Sequence, residues 1–527
     1  MDTRQFDRDH LMMRARDADQ WDLIIVGGGA TGAGLAVDAA SRGYRTILLE
    51  QSDFGKATSS RSTKLIHGGV RYLEQGNISL VTEALRERER LMKNAPHLVR
   101  DLSFVLPAYK WWEKTYYGLG LKMYDWLAGR QSFGRCRKLS APAAQQLIPG
   151  LKPENLRGGV LYHDGQFDDA RLVINLMQTA IEQGAVVLNY CRVDRLLKTA
   201  AGKIEGVVAC ELESGDSREL RGRCVINATG PFSDGLRSMD EPDVAPWIVP
   251  SRGIHLVLDH SFLGGDTALL VPKTDDGRII FALPWLGHCV IGTTDTPLDK
   301  VTLEPHHSSA EIDFLLETAG RYLARQPTRD DILSTFSGIR PLVNTSGSRV
   351  TSRISREHAI EASPSGLVTI AGGKWTTYRE MAEEGVNHAA EIAGLPRKDC
   401  VTYDLRIHGC PEHRPDPVND LSDVYGSDRQ RVQGLIDAQP QWGAPLGEKF
   451  GLTRAEVVWA VRAEMARTVE DVLSRRSRVL LLDAREAKTL AEPVAGIVAE
   501  ELNRSEDWRR AQVSEFQQLA DQYLDLK

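Results

Sequence analysis

Three glycines and one acid carry the first readable chemistry in this chain. Gly27, Gly29 and Gly32 satisfy G-x-G-x-x-G, and Glu50 ends the same stretch. The first glycine permits a tight turn, the second lets backbone approach a pyrophosphate, and the third lets a helix pack closely on a strand. An acid at the end of the next strand accepts hydrogen bonds from a ribose diol. Together they specify an adenine dinucleotide and leave FAD and NAD both open.

The elements that must hold these residues are legible around them. Residues 23–26 form a short apolar strand, 35–40 suit the following helix, and 46–49 suit a second strand. The helix N-terminus then presents N–H groups to the phosphates. Glycines alone would describe an ordinary βα turn. Strand, glycines, helix, strand and terminal acid in series make a βαβ binding unit.

Size and charge bound the rest. A chain of 527 residues exceeds one core and predicts two or three domains. A formal net charge of −7 leaves no basic footprint for nucleic acid. Seven cysteines without C-x-x-C spacing argue against a disulfide framework and a zinc site, so no metal is expected. No run reaches the roughly 18–20 apolar residues of a membrane span. Residues 1–20 are charged, lack a signal-peptide core and read as a flexible lead-in or surface helix.

Further along, residues 51–69 read as a polar, glycine-containing loop and 78–94 as a charged helix. Residues 158–169 read as a turn-rich piece before a helix at 170–183. Strands are expected at 185–188, 204–210 and 224–227, the last running into the Asn227–Gly230 crossing. Alternation at 255–258, 268–271, 278–282 and 289–292 predicts a mostly antiparallel sheet. A strand at 367–371, Gly372-Gly373 and a helix from Thr377 return the chain to the cofactor domain. Residues 455–475 and 484–502 carry helical apolar spacing and predict a separate helical C-terminal domain.

The fold class is therefore α/β with an α+β substrate domain. A discontinuous Rossmann-like cofactor domain takes residues 21–100, 155–245 and 336–395. A β-rich substrate domain takes 101–154 and 246–335, and the helical domain takes 401–527.

The segment TSSRSTKLIHGGVRYLE (58–74) follows the Rossmann acid closely. With GGGATGAG (27–34), NATGPFSD (227–234), RGIHLV (252–257), IGTTDTP (291–297), GIRPLV (338–343) and GGKWTTYRE (372–380), it resembles the FAD-dependent glycerol-3-phosphate dehydrogenases. These lie within the wider glycine/D-amino-acid-oxidase-like flavoproteins. The resemblance runs from about Trp21 to Asp521, and VRAEMARTVEDVLSRRSRVL (461–480) looks like the family's helical cap.

The resemblance implies FAD, with cofactor contacts at Gly27, Gly29, Gly32, Glu50, Thr58, Ser59, Ser60, Lys64, His67, Gly68, Ala228, Gly230, Gly372 and Gly373. It places Arg71, Tyr72, Arg356 and Thr376 at the substrate, and His255, Arg340 and Lys374 at the chemistry, with His67 as the rival base. Trp375 departs from the leucine of a family member, an expected change in packing beside the flavin. Outside that order, a lone histidine is more often a structural hydrogen bonder, and Arg340 or Arg356 a surface ion pair.

The chemistry agrees with these placements. A phosphorylated substrate needs convergent cations, with arginine preferred for forked contact. Oxidising a secondary alcohol requires hydride removal and a base, for which histidine suits. The implied reaction is oxidation of sn-glycerol 3-phosphate to dihydroxyacetone phosphate, with electrons passed to a membrane quinone. The competing readings are an oxidase using dioxygen, an amine or amino-acid oxidase, and a non-catalytic flavin-binding protein.

Residues 110–130 carry Trp111, Trp112, Tyr116, Tyr117, Tyr124 and Trp126 with Lys114 and Lys122. They suit either a lipid interface or aromatic inter-domain packing. The quinone acceptor favours the first, which predicts peripheral attachment to the inner face of the cell membrane from the cytoplasm. No D-x-[DN]-x-[DN]-G calcium loop is found, so the chain reads as bacterial in type. A homodimer is a further possibility.

Overall fold

The computed structural model describes residues 3–69, 77–128, 134–272, 274, 278–344, 357–412 and 424–526. Two sheets organise it. The first runs His358–Ala362, Leu367–Gly372, Ser217–Asn227, Trp21–Val26, Thr46–Leu49, Val186–Leu188, with Ile204–Glu211 paired onto one end of the Ser217–Asn227 strand and Cys191–Lys198 paired onto Ile204–Glu211. Its central pairs are parallel. The Ala30–Ser41 helix packs against both the Asp169–Glu182 and the Tyr378–Ile392 helix beside it. Buried strands read as continuous apolar runs, and Leu23, Ile24 and Ile25 are each 0% exposed.

The second sheet runs Thr296–Pro297, Ile248–Asp259, His288–Gly292, Ile280–Trp285, Ala268–Val271, Val99–Pro107, Gly159–Phe167, Leu65–Ile66. The Ser334–Val343 strand pairs with Ile248–Asp259 along nearly its whole length. The sheet is antiparallel except where Ala268–Val271 meets Val99–Pro107.

This sheet takes residues 65–66, 159–167 and 334–343, most of which the sequence assigns to the cofactor domain. The largest correction is Gly159–Phe167, read as turns and found as a nine-residue strand buried along almost all its length. Gly165 and Asp164 gave the turn signal. Asp164 is tolerated inside because Arg88 Nη1 donates to it at 2.6 Å and the Tyr124 hydroxyl at 2.9 Å.

Residues 1–20 are not a flexible lead-in where described. Arg8–Asp17 is a ten-residue helix capped by Asp7, whose carboxylate accepts from His10 N–H. A helix this short does not persist alone. Phe6 (1% exposed) and Leu11 (0%) fix it to the core, each burial stabilising by roughly 1.5–3 kcal/mol. Arg8 also pairs with Glu211 at 2.8 Å.

One apolar cluster joins the first sheet to the C-terminal helices Arg454–Glu464, Ala484–Glu501 and Glu506–Leu524. The helix expected over 455–475 breaks in two. It stops at Met465, which takes the left-handed conformation (φ 55°), and resumes as a π turn over Asp471–Arg476. Within the π turn Asp471 and Arg475 are buried and paired at four-residue spacing, and Arg475 and Arg476 both pair with the distant Asp53.

Candidate functional site

The ends of the parallel strands open into a cavity of about 320 Å³. Its lining includes Gly27, Gly29, Ala30, Glu50, Thr58, Ser59, Ala228, Gly230, Gly372, Gly373 and Lys374. Gly27 sits at φ +111°, and a Cβ there would lie 2.5 Å from the Ala228 carbonyl oxygen. Gly32 lies behind the turn, where its own Cβ would lie 1.8 Å from the Gly27 carbonyl oxygen. It is a packing residue, as its position in the motif requires. The Ala30–Ser41 helix starts from Gly29, which has no side chain to cap it. Ala30 and Thr31, which open the helix, line the cavity, so the helix start favours a diphosphate there, with the Ala30 N–H itself taken by Ser59.

Glu50 closes this cradle. Its carboxylate accepts from Gly28 N–H at 2.6 Å and from Ser52 N–H at 2.8 Å. Burial pushes this carboxyl up, while the two backbone donors favour its charged form. Acid, glycine turn and open helix start share one cavity, so the residues fit a flavin adenine dinucleotide.

Two ties went unread in the sequence. The Ser59 hydroxyl accepts from Ala30 N–H at 2.9 Å, and the Ser59 carbonyl accepts from the Trp375 indole N–H at 2.9 Å. Trp375 thus fastens the Gly372–Thr377 return to the glycine turn, and also packs edge-on against Phe167 and Tyr378. A leucine there has no N–H to donate. The Thr58 hydroxyl donates to the Ile339 carbonyl at 2.6 Å and stitches the cofactor loop to the second sheet.

Across that stitch lies a polar cluster on the antiparallel strands. Arg340 Nη1 donates to the Thr294 carbonyl at 3.0 Å and Nη2 to the Thr293 hydroxyl at 3.2 Å, with Asp295 at 3.8 Å. The next residue, Pro341, lines the cavity. His255 is 2% exposed, stacks on Phe336 at 4.6 Å, and shares a 2.9 Å hydrogen bond between Nε2 and the Thr63 hydroxyl. Burial first, then the Lys64 and Arg340 charges, push its imidazole well below the usual range.

Glu83, on the Ile78–Asn94 helix, feels the Lys374 charge without lining the cavity. Burial and a hydrogen bond from Glu380 push this carboxyl up to about 7, with the Lys374 charge opposing.

Other expected residues serve differently. Lys64 is 0% exposed and gives its ammonium to both Asp169 oxygens, at 2.7 and 2.8 Å, and to the Ser60 carbonyl at 2.8 Å. It is a buried ion pair beneath the loop and not a lining residue. Ser60 is buried and acts through that carbonyl. Gly68 N–H donates to the Tyr124 hydroxyl at 3.0 Å. Thr376 is 3% exposed and donates to the His67 carbonyl at 3.3 Å. Arg71, Tyr72 and Arg356 lie outside the described residues.

Residues 22–379 match a family model described as FAD dependent oxidoreductase, and residues 367–509 match the C-terminal domain of alpha-glycerophosphate oxidase. The mitochondrial glycerol-3-phosphate dehydrogenase of Rattus norvegicus is 40% identical over 95% of this chain and 73% of its own length. The chain belongs to the FAD-dependent glycerol-3-phosphate dehydrogenase family. The mitochondrial enzyme of Schizosaccharomyces pombe agrees, at 37% identity over 98% of this chain and 89% of its own. So does the crystal structure of the Bacillus halodurans glycerol-3-phosphate dehydrogenase complexed with FAD. It superposes with a TM-score of 0.79 at 30% identity, covering 99% of this chain and 98% of that one. Membership makes FAD the cofactor and this protein an oxidoreductase.

Proposed function

We propose that the protein oxidises sn-glycerol 3-phosphate to dihydroxyacetone phosphate and passes the electrons to a membrane quinone. The observation that carries this reading is one cavity shared by the dinucleotide cradle and Lys374, beside the strand that bears Arg340. Bound there, FAD supplies the acceptor for the hydride. Arg340, held by Thr293 and Thr294, and Lys374 offer the cations for a phosphate or a developing alkoxide. His255 takes the hydroxyl proton, and Thr63 fixes its ring. Anaerobic bleaching of the bound flavin by glycerol 3-phosphate, followed by reoxidation with a quinone analogue, tests the whole reading. Stoichiometric hydrogen peroxide on exposure to air, with no quinone response, assigns an oxidase instead.

The depressed imidazole gives a signed pH prediction. His255 stays neutral in the folded protein below its usual pKa of about 6.5, whereas the unfolded chain takes up a proton there. Its contribution to stability is full above that value and is lost as pH falls toward the folded pKa. The acidic limb of kcat/KM due to His255 is expected well under pH 6.5. A limb centred near pH 6.5 that vanishes in His67→Gln would move the base role to His67.

The same reading places the protein on a membrane surface. No helix among the described residues is long and apolar enough to cross one. The Glu113–Ala128 helix and its leading turn expose Trp112 (41%), Tyr116 (58%), Leu119 (74%), Met123 (45%) and Trp126 (79%). Their alternating four- and three-residue spacing makes one stripe, while Leu121 and Tyr124 face the core. Among the described residues the stripe is exposed, and it suits the headgroup boundary. Leu119→Glu with Trp126→Glu is expected to cut sedimentation with anionic vesicles by about tenfold or more, given roughly 1.5–3 kcal/mol per buried apolar side chain. Activity with a soluble dye should hold. Unchanged vesicle binding, or a dimer that these changes dissociate, would assign the stripe to a second copy of the chain.

A further inference from the structure

The loop that closes the adenosine side of the cavity is held from the C-terminal domain. Glu50, Gln51, Gly55, Lys56, Ala57 and Thr58 all line the cavity. Backbone hydrogen bonds fasten it to its surroundings at a few points, and Lys56 N–H donates to the Asp53 carbonyl at 3.2 Å within it. Gly55 N–H donates to the Gly28 carbonyl at 2.9 Å, and Cys191 N–H to the Glu50 carbonyl at 2.7 Å.

At its centre Asp53 is 0% exposed. Its carboxylate accepts from Arg475 Nε and from Arg476 Nη1, both carried by the π turn Asp471–Arg476. Burial would raise this carboxyl, and the two guanidinium charges overcome it and hold it below the usual range. Arg475 also donates to Glu470 and to Asp471, each at 2.8 Å. Glu470 reaches back to the loop, accepting from Lys56 Nζ at 2.8 Å. Burial would raise Glu470 too, but Arg475 and Lys56 hold it down at about 2. Asp471 accepts from the Tyr190 hydroxyl at 2.8 Å, and Tyr190 N–H donates to the Ser52 carbonyl at 3.1 Å. Thus three points of one short loop, Ser52, Asp53 and Lys56, are tied to one buried charge network more than 400 residues later in sequence, as the Arg475–Asp53 separation of 422 shows.

We propose that Arg475 and Arg476 are positioning residues for FAD. Through Asp53, and through Glu470 to Lys56, they hold the Glu50–Thr58 loop in its cofactor-closing form. A loop ordered in advance does not lose its freedom when the cofactor binds, so affinity rises without any direct contact. The network is buried, so its ion pairs are screened little by salt, and removing one partner leaves a charge uncompensated. Both arginines of the π turn thereby reach one carboxylate, Asp53.

The test measures first-order release of FAD from diluted holoenzyme, followed by recovery of flavin fluorescence. Glu470→Gln and Asp53→Asn are each expected to release FAD about tenfold faster, equivalent to 1.4 kcal/mol. The helical circular-dichroism signal should be unchanged, and excess FAD should restore dye-linked turnover. Neither residue lines the cavity. Release at the wild-type rate overturns the proposal. So does release that accelerates only together with loss of the helical signal, because the network would then hold the fold and not the loop. Should Asp53→Asn fail to fold, Glu470→Gln at the network's rim decides alone.

Discussion

Arg340→Met is expected to lower kcat/KM for glycerol 3-phosphate by about 10²–10³-fold, taking roughly 1.5–3 kcal/mol for each charge-assisted hydrogen bond removed. The side chain is fixed before substrate arrives. Thr293 and Thr294 hold its two terminal nitrogens. It crosses so close to the neighbouring strand that a Cβ at Gly253 would lie 2.5 Å from Nη2. A pre-aimed fork matches phosphate or carboxylate geometry, which a lysine ammonium does not. Arg340→Lys should therefore recover charge without recovering the fork, and stand between wild type and methionine. Separating the constants locates the role. A rise in KM at constant kcat assigns the arginine to ground-state phosphate binding, and an equal fall in kcat assigns it to the transition state. Flavin content, read from the absorbance of purified protein, should match wild type in both variants. A methionine variant within about threefold of wild type would remove Arg340 from the site.

What the sequence discloses follows the range over which each constraint acts. The βαβ unit was readable because every requirement falls inside thirty consecutive residues and is a matter of backbone room. Gly27, Gly32 and Glu50 stand where that logic puts them. Gly159–Phe167 was unreadable because its polar residues are answered by distant partners, Arg88 and Tyr124, that local composition does not reveal. Lys64 misled for the same reason: beside a cofactor loop it reads as a ligand, and only the fold supplies Asp169 as its counter-ion. Trp375 and Thr376 show the finer limit. Both sit in a segment read as returning to the cofactor domain, but where each side chain points is set by the tight 3-10 turn Trp375–Thr377 ahead of the Tyr378–Ile392 helix. That turn buries Thr376 against His67 and sends the Trp375 indole to Ser59. The aromatic segment 110–130 was ambiguous until the helix was phased. Phasing then divided it, with Tyr124 joining the core and Trp126 remaining in solvent.

Gly32→Val should yield a protein that cannot retain FAD. The reason is a contact between backbones. A Cβ at position 32 would lie 1.8 Å from the Gly27 carbonyl oxygen, with the Leu48 side chain at 3.6 Å behind it. A flexible side chain could swing aside, but the Gly27 oxygen cannot. Gly27 is itself fixed at φ +111° against Ala228, whose oxygen already stands 2.5 Å from where a Cβ would be. The helix must therefore lift from the Trp21–Val26 strand, and its leading N–H groups move away from the place a diphosphate would occupy. Overpacking of this kind costs about 1–3 kcal/mol in stability. The same displacement is charged again against FAD, so affinity should fall by about a hundredfold or more, equivalent to 2.7 kcal/mol. The expected preparation is colourless, with a lowered thermal midpoint that added FAD raises far less than in wild type. Gly434→Ala is the matched control. It lies in the Arg429–Ala438 helix with nothing within 4 Å of the added Cβ. It should raise stability by up to about 1 kcal/mol and leave the flavin in place. A yellow Gly32→Val protein with wild-type FAD affinity would mean that the helix can shift without opening the cradle, and the close-packing role of that glycine would be lost.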